Sequence, residues 1–158
     1  MKLSQASWSF VEKISKGALL TATTKEGKHN TMTVSWGGCG VLWGKEVAFI
    51  FVRPQRYTYE FCQDGDTFTL SFFGTERAKT LAFCGTKSGR EVDKFKECNL
   101  SYSDENGVVF EDAENTLILK KLYAQDLKKE CFIDTGSLKW YESNDFHRMY
   151  ICEVIDLK

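Results

Sequence analysis

Asn30-Thr-Met-Thr-Val-Ser-Trp-Gly-Gly38 runs on through Cys39-Gly-Val-Leu-Trp-Gly44 to a strongly apolar stretch, Val47 to Val52. It then closes on Arg53-Pro-Gln-Arg-Tyr-Thr58. Thr31 to Trp36 is β-prone and predicts a strand. Gly37 to Gly40 predicts a tight bend, with Val41 to Trp43 and Glu46 to Arg53 as further strands separated by Gly44-Lys45. Pro54 is the only proline. Its fixed φ suits the first turn of a helix, predicted over Gln55 to Cys62 with Gly65 beyond its end. Such a segment offers backbone donors and a flat wall to a planar heterocycle, and paired guanidinium groups to a phosphate.

Outward from this segment the pattern stays short and β-rich. Upstream, Gln5 to Lys16 has helical spacing and a stop at Gly17, and Ala18 to Thr24 reads as a strand. Downstream come a strand at Thr67 to Phe73, a helix at Thr75 to Phe83 capped by Thr75, a Gly85 to Arg90 loop and a short helix around Val92 to Cys98. Leu100 to Tyr102 and Val108 to Phe110 flank a turn at Asp104 to Gly107. Long strands are expected at Thr116 to Leu127 and His147 to Ile155, while Glu130 to Asn144 is ambiguous. Strands at this spacing, with short helices between them, predict a mainly β fold, a small antiparallel barrel with helical insertions. With no repeat or linker, residues 1–158 are expected to form one domain.

The chain has 158 residues, 42% hydrophobic and 14% aromatic, which is enough for a real core. Its 21 basic and 22 acidic residues nearly cancel, which argues against a nucleic-acid partner driven by bulk charge. Val47 to Val52 falls far short of the roughly 20 apolar residues that span a membrane. The first residues lack an apolar signal segment, so no membrane association and a cytoplasmic location are expected. Six cysteines are scattered without a Cys-x-x-Cys pair and there are two histidines, so no metal site is expected. The thiols read mainly as small buried hydrophobes, with redox sensing at Cys39 or Cys84 as the other option.

Familiar catalytic fingerprints are missing. Gly38-Cys-Gly40-Val-Leu-Trp43 puts Trp where a dinucleotide loop needs its third Gly, and no Walker loop, His-Glu-x-x-His or Gly-x-Ser-x-Gly occurs. The ordered set Asn30 to Gly38, Arg53 to Thr58, Ser88-Gly-Arg-Glu-Val-Asp-Lys-Phe95 and Phe146-His-Arg-Met-Tyr-Ile-Cys-Glu-Val154 instead resembles the flavin reductase-like family of FMN-binding split barrels, which includes flavoredoxin. The resemblance implies an antiparallel Greek-key split β-barrel binding FMN. It nominates Asn30, Thr33, Val34, Ser35, Trp36 and Gly37 for the ring, and Arg53, Arg56 and Thr58 for the phosphate. Lys94, together with Ser88 and Arg90, comes from the loop that approaches the cofactor in that family, and His147 from its closing strand.

Each assignment has a plainer counterpart. Val34, Trp36 and the glycines also suit a core strand and turn, the arginines a solvated pair, Lys94 a helix lead-in and His147 a surface position. His29 reads as a flank of its strand. No catalytic side chain is nominated, since a flavin carries its own redox chemistry. The resemblance implies an FMN-dependent oxidoreductase and a homodimer with flavin at its interface, served by NAD(P)H or a protein electron donor. Two alternatives stay open: a non-catalytic ligand-binding or interaction barrel, and a pyridoxamine-phosphate-oxidase-like flavoenzyme.

Overall fold

Two hairpins frame the computed structural model, which describes residues 1–158. In the first, β1 (Ala18–Thr23) and β2 (His29–Val34) pair antiparallel, from Ala18↔Val34 to Thr23↔His29. In the second, β3 (Gly37–Leu42) and β4 (Lys45–Val52) pair from Gly37↔Ile50 to Leu42↔Lys45. Trp43 and Gly44 form the second turn at φ 53° and 70°. Positive φ at both turn positions gives the twist that two hairpin strands require.

The expected bend at Gly37 to Gly40 is therefore a strand. Pairing with β4 overrides the poor strand propensity of glycine. At Gly37 the absence of a side chain is required: a Cβ would lie 2.9 Å from the Phe49 carbonyl oxygen.

After β5 (Thr67–Phe72) comes a small separate hairpin of β6 (Tyr102–Ser103) and β7 (Val109–Phe110). The long strands β8 (Asn115–Asp126) and β9 (Arg148–Leu157) then complete a seven-stranded antiparallel sheet. Its order is β2-β1-β5-β8-β9-β4-β3. The edge strands β2 and β3 are consecutive in the chain, joined only by Ser35 and Trp36. Three Cα–Cα steps reach at most about 11 Å. The sheet must therefore curl until its edges approach at that end, while β2 and β3 remain unpaired. This is a split barrel, as the sequence predicts.

Alternation along the strands decides what fills it. Leu20, Ala22, Ile50, Phe68, Leu70, Leu119 and Tyr150 belong to the main buried cluster, with Phe68 and Tyr150 edge-to-face at 5.3 Å. Leu19 faces the other way, into a second cluster with Cys84, Leu100, Val108 and Phe110.

The first and fourth helices are shorter than the sequence predicts, and the second and third keep the predicted length but begin later. α1 (Phe10–Ser15) begins after Ser9, whose hydroxyl accepts from the Glu12 N–H; only a 3₁₀ turn forms at Leu3–Gln5. α2 is Tyr57–Asp64, because Arg53 to Arg56 forms a turn closed by Arg56 N–H to Arg53 C=O. Pro54 thus occupies the second position of a turn, which its φ also suits. Thr75 opens a 3₁₀ turn and caps nothing; α3 begins later, at Ala78–Thr86. α4 is Lys94–Glu97, capped by the Asp93 carboxylate. The ambiguous stretch after β8 folds into 3₁₀ turns at Lys129–Cys131 and Thr135–Tyr141. No helix is long and apolar enough to cross a membrane.

Gly65 lies against β1 so closely that a Cβ would sit 1.8 Å from the Thr23 carbonyl oxygen, whereas one at Gly40 would meet nothing within 4 Å. Gly65→Ala is expected to lower stability by about 1–3 kcal/mol or more, and Gly40→Ala to stay within about 0.5 kcal/mol. Urea midpoints of the two variants check this.

Candidate functional site

Where the sheet's edges approach, Thr33, Val34, Ser35, Trp36, Arg53, Arg56 and His147 line one cleft of about 200 Å³ together with Met32 and Phe51. β2 is an edge strand, so half its backbone groups have no β1 partner. The Thr31 carbonyl points away from β1, since it accepts from Lys94 Nζ at 2.8 Å. By alternation Thr33 turns its N–H and C=O to the same outer side. Its hydroxyl donates to the Leu81 carbonyl, which ties the strand to α3.

The opposite wall comes from β4 and β9. Their register pairs Val52 with Arg148, so Arg53 and His147, one residue further along each strand, lie opposite one another. His147 is buried, and its Nδ1 lies 2.7 Å from the Tyr141 hydroxyl. Burial, and then the nearby Arg53 cation, push its pKa down to about 4. The imidazole is neutral at pH 7. Its ring packs 5.5 Å from Trp36, which stands edge-on to Trp140 at 5.2 Å. Both tryptophans are about half exposed.

Arg53 is engaged within the chain. It pairs with Asp145 at 2.8 Å, donates to the Trp140 carbonyl and lies 5.0 Å over the Tyr141 ring. Arg56 differs. Its guanidinium donates to the carbonyls of Gly85 and Cys84, and Lys94 Nζ donates to those of Thr31 and Cys84. Neither cation has a carboxylate partner. Burial lowers both pKa values; for Lys94, burial and then repulsion by Arg56 bring it to about 8.

These two cations line a second cleft, of about 170 Å³, with Thr58, Thr86, Ser88 and the first turn of α2. The N–H groups of Tyr57 and Thr58 donate to no group of the chain. Thr58 Oγ1 accepts from Asn30 Nδ2 at 2.8 Å, which leaves its own proton free to donate. Uncompensated positive charge, free helix N–H groups and hydroxyls make an anion cradle. Arg56 lines both clefts and joins them.

The structure thus divides the residues the sequence nominates. Thr33, Val34, Ser35, Trp36, Arg53 and His147 gather at the first cleft; Thr58, Lys94 and Ser88 at the second; Arg56 belongs to both. Arg53 stands with the first, neutralised by Asp145, and the anion cradle pairs Arg56 with Lys94. Asn30 buttresses Thr58, and Gly37 packs on Phe49. Tyr141, Asp145, Phe51 and Met32 are additions. Asp145 is the one with a sequence signal, an acid two residues before His147.

A family model for the flavin reductase like domain matches residues 11–158. The chain belongs to that family. Solved structures with the same fold include flavoredoxin from Methanosarcina acetivorans, at TM-score 0.69 and 20% identity over 100% of this chain and 75% of that one. An FMN-binding protein from Thermus thermophilus with bound p-hydroxybenzaldehyde gives TM-score 0.68 and 19% identity over 90% of this chain and 70% of that one. The styrene monooxygenase flavin reductase from Pseudomonas putida S12 gives 0.65 and 16% over 90% and 77%. No curated protein matches. Membership places the chain among flavin-related redox proteins, and the structural likeness supports the split-barrel fold.

In this member of the flavin reductase like family, His147 takes a proton near pH 6.5 when unfolded but only at about 4 when folded. Between those values the unfolded chain is the better proton binder. Stability from keeping the imidazole neutral is full above pH 6.5 and is lost as pH falls towards 4. The His147 ring signals in NMR should therefore titrate well below pH 5.5, with the thermal midpoint falling over the same window.

Proposed function

We propose that the chain is an FMN-dependent oxidoreductase that takes hydride or electrons from a reduced donor such as NAD(P)H and delivers them to flavin or a protein acceptor. The observation that carries this reading is the Arg56–Lys94 pair. Two desolvated cations that repel each other, face a cleft and have only carbonyl partners are arranged for an anion. That cradle adjoins a cleft edged by unpaired strand backbone and flanked by Trp36. An anion joined to a planar heterocycle with a polar edge fits both.

On this reading Arg56, Lys94, Thr58 and the α2 N-terminus hold the phosphate, and Thr33, Val34, Ser35 and Trp36 flank the ring. When bound, FMN supplies the acceptance and release of hydride or single electrons. The residues of the chain do the rest. Trp36 and Trp140 exclude water, and the Asp145–Arg53 pair holds the wall behind them. Neutral His147, fixed through Nδ1 by Tyr141, presents its other nitrogen without adding charge.

The first cleft is small beside the roughly 300–1,000 Å³ of a complete small-molecule site. A second copy would complete it. Half-exposed Trp36, Trp140 and Trp43, with Val41 77% exposed, supply apolar surface for a homodimer with flavin at its interface. The six free cysteines accord with a reducing cytoplasm.

The reading is tested by titrating the purified protein with FMN and with riboflavin. FMN should bind and riboflavin should bind more weakly. Arg56→Ala should weaken FMN about tenfold or more while leaving riboflavin nearly unchanged. Arg53→Ala should weaken both alike. If Arg56→Ala affects the two ligands equally, the phosphate lies elsewhere.

Lys94 adds a pH signature. FMN affinity should decline as pH rises through about 8, where the ammonium loses its proton, and riboflavin affinity should not. Bleaching of the yellow protein by NADH or NADPH supports a reductase; bleaching by dithionite or a reduced protein alone supports an electron carrier.

A further inference from the structure

Behind the anion cradle the fold brings together two thiols that the flavin reading leaves unused. The side chains of Cys84 and Cys98 lie within hydrogen-bonding reach of one another. Both pack in the outer cluster with Leu19, Leu100, Val108 and Phe110. Cys84 sits in the last turn of α3, and Cys98 directly follows α4. Backbone contacts hold each in place. The Cys98 N–H donates to the Lys94 carbonyl at 3.1 Å, and the Cys98 carbonyl accepts from Arg77 Nη1 at 2.8 Å. The Cys84 carbonyl accepts from Arg56 Nη2 and Lys94 Nζ.

Unequal surroundings separate the two sulfurs. Cys84 is fully buried, and burial pushes its thiol up to about 12. It stays protonated and is shielded from a dissolved oxidant. Cys98 is only partly buried, so an oxidant meets it first. A solvent-reached sulfur backed by a second thiol in contact is the arrangement that lets an oxidised cysteine resolve into a disulfide. The other cysteines lack one half of it. Cys62 and Cys152 lie close enough to interact, yet both are fully buried. Cys39 and Cys131 are exposed, on β3 and in the 3₁₀ turn after β8. The Cys84–Cys98 pair combines contact with access.

We propose that Cys84 and Cys98 form a reversible dithiol–disulfide site, oxidised by hydrogen peroxide, that clamps the segment between them. The Cys98 sulfur attacks one peroxide oxygen, the O–O bond breaks, and the other oxygen leaves as water with the Cys98 proton. Cys98 is then a sulfenic acid. The Cys84 sulfur next forms the S–S bond, the S–O bond breaks, and the hydroxyl leaves as a second water with the Cys84 proton. The two sulfurs lose two electrons and the peroxide gains them. A reducing dithiol restores both thiols by exchange. The enclosed residues 85–97 carry Thr86, Ser88 and Lys94 of the cradle, and Gly89, which lies against Asn30 and the Tyr57 ring. Tying both ends of this segment restricts its local opening.

Peptide mapping of the full chain tests the proposal without any ligand. The reduced protein is treated with hydrogen peroxide, denatured, alkylated, digested and weighed by mass spectrometry. A linked Cys84–Cys98 peptide pair is expected, lost on adding dithiothreitol, with Cys62 and Cys152 alkylated as free thiols. Amide hydrogen exchange over residues 85–97 should slow about tenfold or more in the oxidised protein. Cys84→Ala should leave a sulfenic acid on Cys98 that dimedone traps, and Cys98→Ser should leave Cys84 reduced. Where a variant fails to fold, the map of the unaltered protein decides alone. Absence of the linked pair, passage of Cys98 to sulfinic acid with Cys84 still free, or a bond between other cysteines in its place overturns the site. Exchange over residues 85–97 that is equally fast in both forms overturns the clamp. FMN titration of the reduced protein judges the flavin reading separately, so each can fail without the other.

Discussion

The two-residue link between β2 and β3 constrains everything else. Strands consecutive in the chain usually pair, yet here they hold opposite edges of a seven-stranded sheet. Ser35 and Trp36 are too few to cross a flat sheet, so the sheet must roll. Rolling brings two unpaired edges near each other at one end, and edges carry free backbone donors and acceptors. The site lies there because the seam does. Placing β4 beside β9 then delivers Arg53 and His147 to the same end.

A second packing event fixes the anion cradle. Cys84 is buried with Leu19, Leu100, Val108 and Phe110 on the outer side of the sheet, and this cluster anchors the last turn of α3. The carbonyls of Cys84 and Gly85 are thereby held where Arg56 and Lys94 can reach them. Both side chains are drawn in by backbone dipoles, which orient a cation without neutralising it. The small outer core thus sets the direction of two charges that lie on separate helical segments.

The strands were legible because alternation reports burial directly: β1, β5, β8 and β9 fall within a residue or two of where the sequence puts them. The errors share a cause. At Gly37 to Gly40, Pro54 and Thr75 local preference points one way, and tertiary pairing or an adjacent turn decides otherwise. The stretch around Tyr141 has no period because it folds as 3₁₀ turns held by its neighbours. At the site, Trp36 stands out in the sequence because it precedes a glycine pair, and Arg53 and Arg56 because they bracket the only proline. Lys94 does not. Only the family resemblance points to it, and its character depends on α4 being folded against Cys84 from elsewhere in the chain. Asp145 shows only as an acid two residues before His147, and nothing local says that it will meet Arg53.

That last contact explains why two arginines in one turn differ so completely. Arg53 has Asp145 at 2.8 Å, so the wall beside His147 carries little net charge. Arg56, three residues on, has only carbonyls. Had Asp145 paired with Arg56 instead, the cradle would be neutral and the ring cleft positive. As folded, the positive potential is confined to the α2 end, and the Trp36–His147 end stays close to neutral. On the proposed reading, a ligand with a charged tail and a neutral flat head would therefore fit in one orientation, tail towards Arg56 and Lys94. Reversing it would bury a phosphate against Trp36 and a neutral imidazole while leaving two cations unanswered, and burial makes each of those mismatches expensive.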